Sequence, residues 1–347
     1  MNIAILAPLW KKIPPEKYGG TELVVANLAK GLHELGHSVT TFACGGSEVS
    51  GVLVPIIARP MYELVGGFDW NGIQQYEFLS FFELARRAKD FDVVHNHMGF
   101  HPNALAPLLP IPMVTTLHSS APPDFPSLAE AFREAAFVSI SNAQRNLAKM
   151  LHYVATVYHG IDTKLFKSRT EGDGNGFVFL GTLSRNKGVD IAVKTARSLG
   201  ARLTIAGEMR KEDKSFLDTE VFPYVDGKTI IFSGEVGHEE KNRLLQDADA
   251  LLFPSRWNEA FGLVIVEALA SGTPVVALNN GAVPEILRDG VTGFIAGDED
   301  TFITAASNVA KLSRIEARKE AEERFDLSLM AKKYIDVYSK LIEARRI

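Results

Sequence analysis

Short apolar strands alternating with longer amphipathic helices predict an α/β protein built from two doubly wound parallel sheets. Three observations carry that expectation. The β-branched or aliphatic runs leave room for a helix between neighbours, the pattern restarts once near the middle, and the unusual residues gather just after the runs. A length of 347 residues also exceeds what one hydrophobic core usually supports.

In the first half the runs are NIAILAP, SVTTFA, DVVHNH, MVTTLH and FVSISN; the second half starts again with FVFLGT, then LTIAG, IIFSG, ALLFPS and PVVAL. Helical patterns lie between them. In TELVVANLAKGLHEL, for example, Leu28, Leu32 and Leu35 share one face. The polar, Gly-rich stretch Lys167–Gly176 reads as a linker, which sets the expected units at 1–166 and 167–325. The segment 326–347 reads as helix, with a break at FDLS. No internal repeat argues for a solenoid.

The composition, 46% hydrophobic and 23% charged, suits a globular enzyme, and a net charge of -5 offers no field for a nucleic acid backbone. The one cysteine, Cys44, excludes an internal disulfide and reads as a small buried side chain. The N-terminal MNIAILAP lacks the basic start and long apolar core of a signal peptide, and no run reaches the roughly 18 apolar residues of a membrane span. A cytoplasmic protein with at most peripheral membrane contact is expected.

In open parallel sheets ligands bind at the carboxyl ends of strands. There the sequence places Gly19-Gly20-Thr21, His95-Asn96-His97, His118, Thr182–Gly188, Ser255–Gly262 and Asn279–Glu285, so the two loaded edges are expected to face a common cleft. Gly20 lets backbone approach an anion at a helix start. Arg185 and Lys187, beside Gly188, carry charge that can neutralise a diphosphate. His95 and His97 alternate along a strand end and point the same way, but no third ligand follows at recognisable spacing, so a structural or substrate role outweighs a metal site. Asp90/Asp92 and Asp247/Asp249 imitate an Asp-x-Asp metal site, yet each pair precedes a strand and reads as a solvated helix end.

The strongest signal is EAFGLVIVEALASGTPVVA, Glu259 to Ala277. With Glu259 in the loop after ALLFPS and a helix starting at the Phe-Gly turn, the backbone of Gly262 and its neighbours offers free N–H donors. Glu267 lies eight residues on, which at 3.6 residues per turn returns close to one face. One carboxylate is then placed for a sugar and the other for a ribose.

This constellation resembles the retaining glycosyltransferases of family 4, whose GT-B fold has two Rossmann-like α/β/α domains facing across a cleft. The resemblance covers nearly the whole chain, through the Glu259–Glu267 stretch, YGGTELVVANLAKGL, DVVHNH, TTLHSS, HGID, GTLSRNKGVD and NNGAVPEILRDGVTGF. The loop PPEKYGGTE is most similar to the branch that contains the avilamycin-pathway enzyme. The resemblance implies transfer of a hexosyl group from a nucleotide-diphosphate sugar to an acceptor hydroxyl of a sugar, lipid-linked or small molecule. It further implies front-face attack assisted by the leaving phosphate, with no metal and no cofactor. By the same resemblance Glu259 contacts donor-sugar hydroxyls, Glu267 the ribose, the backbone of Ala260, Phe261, Gly262, Leu263 and Val264 the sugar and phosphate, Lys187 the diphosphate, Gly20 the donor phosphate region and His118 the sugar. Thr182 occupies the usual arginine position, and Arg185 is its candidate substitute. The C-terminal helix would pack back on the first domain, and loops such as Met61–Gln75 would choose the acceptor.

Rival readings on the same architecture are a nucleotide-sugar epimerase, a phosphorylase and a non-catalytic sugar-binding protein. A nicotinamide-dependent dehydrogenase would need a G-x-G-x-x-G after a strand, which the sequence lacks.

Overall fold

The computed structural model describes residues 1–65, 70–119, 126–169 and 174–346. It divides into two compact units, Met1–Gly160 together with Leu327–Ile347, and Ile161–Asp326.

The first unit is built on a seven-stranded sheet of β1 (Asn2–Leu6), β2 (Ser38–Cys44), β3 (Val52–Ile57), β4 (Val93–Asn96), β5 (Met113–Thr116), β6 (Ala136–Ser139) and β7 (Tyr153–Thr156), in the order β3-β2-β1-β4-β5-β6-β7. The second holds a six-stranded sheet of β8 (Phe177–Leu180), β9 (Leu203–Ala206), β10 (Ile230–Phe232), β11 (Ala250–Phe253), β12 (Val275–Leu278) and β13 (Gly293–Ala296), in the order β10-β9-β8-β11-β12-β13. Every pairing between these strands is parallel. Strand order reverses beside β1 and again beside β8, the Rossmann arrangement in which a crevice opens at the carboxyl ends of the central strands.

Central strands β4, β5, β6, β8, β11 and β12 are buried at every residue, as covering helices on both faces require. The cores follow from that pattern. In the second unit Phe179, Val189, Val193, Ile205, Leu252 and Phe302 pack together between sheet and helices. Cys44 is fully buried at the end of β2, and its thiol donates to the Lys11 carbonyl at 3.2 Å.

The C-terminal chain is helical over Arg314–Arg324 and again over Leu327–Arg346. The second of these helices packs on the helix Gly20–Glu34 of the first unit, burying Met330, Ala331, Tyr334, Val337 and Tyr338 at helical spacing. The polar Lys167–Gly176 stretch, expected to link the units, lies within the second one. Its residues 170–173 fall outside the described ones; Arg169 N donates to the Ser271 carbonyl at 3.2 Å and Asn175 N to the Asp247 carbonyl at 2.8 Å. Among the described residues no helix is long and apolar enough to cross a membrane.

Candidate functional site

In the second unit the loops after β8 and β11, which flank the point where strand order reverses, carry the charged candidates. The turn Gly181–Gly188 closes against Pro254: a Cβ on Gly188 would lie 2.0 Å from the Pro254 carbonyl oxygen, and Gly188 also adopts a φ of +76° that favours glycine. Arg256 fastens the same two loops. Its backbone N donates to the Asn186 carbonyl at 2.8 Å, and its guanidinium donates to the Arg185 carbonyl at 2.8 Å and to both Asp190 carboxylate oxygens at 2.9 and 2.8 Å.

So held, Lys187 Nζ donates to Glu259 Oε1, and Ser255 Oγ donates to the same oxygen at 2.9 Å. The Glu259 side chain keeps 11% of its exposure and that of Lys187 29%, so a cation and an anion meet where water is scarce but a ligand can still reach. From below, Asn280 donates to the Ser255 carbonyl at 2.8 Å and Ala282 N to the Glu259 carbonyl at 2.9 Å.

The helix after this loop spans Leu263–Ala270, with Gly262 as its N-cap. Glu259 thus precedes the helix and shares no helical face with Glu267, which corrects the same-face expectation. The two acids are separated instead by partner. Glu267 is buried and accepts from Lys241 Nζ at 2.5 Å, where Lys241 comes from the helix His238–Asp247. Phe261 is buried and meets Phe325 edge-on at 6.0 Å, anchoring the loop, while Ala260, Gly262, Leu263 and Val264 stay half-buried. At a helix start the first N–H groups lack the acceptor a full turn back that later ones have, and here Ile265 N turns to the Gly262 carbonyl at 3.0 Å.

Arg185 is exposed, with its guanidinium 4.6 Å over the ring of Phe216. Thr182 is buried. Asp249 accepts the backbone N–H of Gly174 at 2.5 Å and Gly176 at 2.9 Å, and Asp92 that of Asn2 at 2.7 Å. Both Asp-x-Asp imitations therefore tie down backbone at the amino edge, a more specific role than a solvated helix end.

In the first unit the carboxyl edge carries a column of imidazoles. Gly20 opens the helix Gly20–Glu34 and is half-buried. His95 is fully buried, its Nδ1 2.7 Å from the Tyr338 hydroxyl and its Nε2 2.7 Å from Thr116 Oγ1. Both nitrogens of His95 are thus engaged by hydroxyls. His97 rests on the His95 ring with centroids 4.0 Å apart, and its Nδ1 lies 2.8 Å from His118 Nε2. His118 stacks in turn on His159 at 5.2 Å. Burial removes the water that would stabilise imidazolium: it holds His95, His97 and His159 well below the usual imidazole range and draws His118 down to about 3. The column is neutral at ordinary pH. Ser120, the last residue of the TTLHSS stretch, lies outside the described residues, as do residues 66–69 of the Met61–Gln75 stretch.

Lys241, Tyr334 and Tyr338 had no signal in the sequence. Lys241 stands 26 residues before its carboxylate on a polar helix, and the tyrosines lie more than 200 residues from the histidines they support.

Two family models match the chain: "Glycosyltransferase Family 4" over residues 18–165 and "Glycosyl transferases group 1" over residues 160–326. Among curated relatives, a glycogen synthase of Mycobacterium tuberculosis is 28% identical, over 87% of this chain and 84% of its own length. AviGT4, a glycosyltransferase involved in avilamycin A biosynthesis, superposes with a TM-score of 0.74 at 25% identity, covering 99% of this chain and 98% of that one. HepE of Anabaena, solved in complex with UDP-glucose, superposes with a TM-score of 0.74 at 18% identity over 98% and 100% of the two chains. The fold is GT-B, with two Rossmann-like domains.

Proposed function

We propose that this chain, which belongs to the family 4 glycosyltransferases, transfers a hexosyl group from a nucleotide-diphosphate sugar to an acceptor hydroxyl with retention of anomeric configuration. The observation that carries the reading is the Lys187–Glu259–Ser255 group beside the start of the helix Leu263–Ala270. A cation, a carboxylate and free amide donors at one strand-end loop are what a sugar diphosphate needs.

In this reading Glu259 accepts from donor-sugar hydroxyls, and the backbone of Ala260–Val264 donates to sugar and phosphate oxygens. Lys187, with Arg185 as a second cation, stabilises the charge that grows on the departing diphosphate. Glu267, kept in place by Lys241, accepts from the ribose hydroxyls. In the first unit His118 contacts the sugar and Gly20 the phosphate region. The bond from the anomeric carbon to the diphosphate oxygen breaks while the acceptor oxygen approaches the same face; the leaving phosphate oxygen takes the acceptor proton. Catalysis then rests on positioning and on charge already supplied by side chains and helix N–H groups, and the scheme calls for no metal or cofactor.

UDP-glucose is the first donor to try, because HepE was solved with it, and a cytoplasmic setting would supply such donors. Thermal-shift screening of uridine and guanosine diphosphate sugars, followed by transfer assays with sugar and lipid-linked acceptors, tests the reading, since a ligand bound only by the native state raises Tm. A stabilising donor that is consumed only with an acceptor present supports transfer. Stabilisation by none of them overturns it.

A further inference from the structure

We infer that His97 sets the tautomer of His118, so that His118 offers a protonated Nδ1 to the sugar. The inference rests on the reading of His118 as a sugar contact. At the 2.8 Å approach of His97 Nδ1 to His118 Nε2 one nitrogen donates and the other accepts. A neutral imidazole carries one N–H, so naming the donor places the proton on both rings.

The other nitrogen of His97 decides between the two arrangements. His97 Nε2 is buried and has no hydrogen-bond partner among the described residues. If His118 donated, the His97 proton would sit on that atom as a buried N–H with nothing to accept it. If His97 donates from Nδ1, the atom left there is only a lone pair. Buried donors without acceptors are the rarer and costlier case, so His97 donates, His118 Nε2 accepts, and the His118 proton lies on Nδ1. No bond within the described residues engages His118 Nδ1, and the residue is partly exposed.

The arrangement is braced from behind. His95 supports the His97 ring and is itself fixed by Tyr338 and by Thr116, whose Oγ1 lies 2.8 Å from the Tyr334 hydroxyl. The other neighbour of His118, His159, stacks on it at an interplanar angle of 21°. His97 is thus a positioning residue: it touches no substrate and acts through the proton it gives His118. An Nδ1–H can donate to a sugar oxygen, whereas the alternative tautomer could only accept from a hydroxyl.

Long-range 1H–15N spectra of the full chain carrying 15N-labelled histidine test this without any donor present. The wild type should show His118 protonated on Nδ1 and bare on Nε2. His97→Asn, which keeps an amide donor near the place of Nδ1, should retain that pattern and most of the activity. His97→Leu should lose it and lower kcat/KM by roughly tenfold. An Nε2–H pattern for His118 in the wild type, or an unchanged pattern in His97→Leu, overturns the inference; should the leucine variant fail to fold, the wild-type and asparagine spectra decide. If the Nδ1–H pattern is found but no nucleotide sugar is turned over, the reading of the protein as a sugar transferase fails while the His97–His118 relation stands.

Discussion

Gly281 and Glu259 share a space that only one of them can fill. A Cβ on Gly281 would lie 2.2 Å from the Glu259 carbonyl oxygen and 2.4 Å from its nitrogen, and Gly281 has a φ of +58°. The NNGAVPE motif is therefore a seat for the carboxylate loop. Gly281→Ala should displace Glu259 and cost about 1–3 kcal/mol from the backbone conformation alone. Urea denaturation and transfer rate should fall together in that variant; a rate unchanged despite the lost stability would separate the seat from the site.

Removing the Glu259 side chain breaks the hydrogen bonds from Lys187 and Ser255. Glu259→Ala is expected to lower kcat by orders of magnitude while the circular dichroism spectrum stays native. Near-normal turnover would remove Glu259 from the reaction.

Lys241 and Glu267 form a more secluded pair, with side chains 17% and 5% exposed. Lys241→Met leaves an uncompensated carboxylate in a buried place, a change that typically costs about 3–5 kcal/mol. Calorimetry should also show weaker nucleoside diphosphate binding, because the ribose ligand loses its orientation. Binding that is unaltered in a folded Lys241→Met protein would contradict the ribose role of Glu267.

Burial raises the Glu77 carboxyl to about 7. Its folded pKa lies above the unfolded one, so the native state holds the proton longer and stability falls as pH rises from the ordinary carboxylate range to about 7, then levels. The full loss is about 3 kcal/mol at the standard conversion. Glu77→Gln should flatten that part of the stability profile, and a fall of the same size in the variant would assign it elsewhere.

The histidine column acts in the opposite direction. His95, His97, His118 and His159 are held neutral in the fold, with His118 down to about 3. Unfolded histidines take up protons below about 6.5, so stability should fall with acidification at about 1.4 kcal/mol per pH unit for each of them. Urea midpoints measured from pH 6.5 to 5 should be less steep in His159→Phe, which removes one member.

Much of this molecule is legible along the chain, because burial on both faces of a parallel sheet makes central strands continuous apolar runs. The strands that the runs did not reveal, β3, β7 and β13, all lie at sheet edges. There one side has no neighbour, so burial weakens and the pattern blurs: β7 has one buried residue, and β3 carries a Pro and an exposed Val52. Position relative to strand ends brought Lys187, Glu259 and His118 forward as candidates, since parallel strands place all their carboxyl ends on one edge, and Glu267 followed from its spacing after Glu259.

By itself the sequence determined the two α/β units, their order and the loops that carry charge, since these follow from local periodicity and chain direction. Only the tertiary structure decided the pairings: Glu259 with Lys187, Glu267 with Lys241, and His97 with His118 on a base of Tyr334 and Tyr338. Such contacts depend on how helices and loops remote in sequence pack around each sheet, and the spacing of residues along a chain does not encode which of two buried groups will meet.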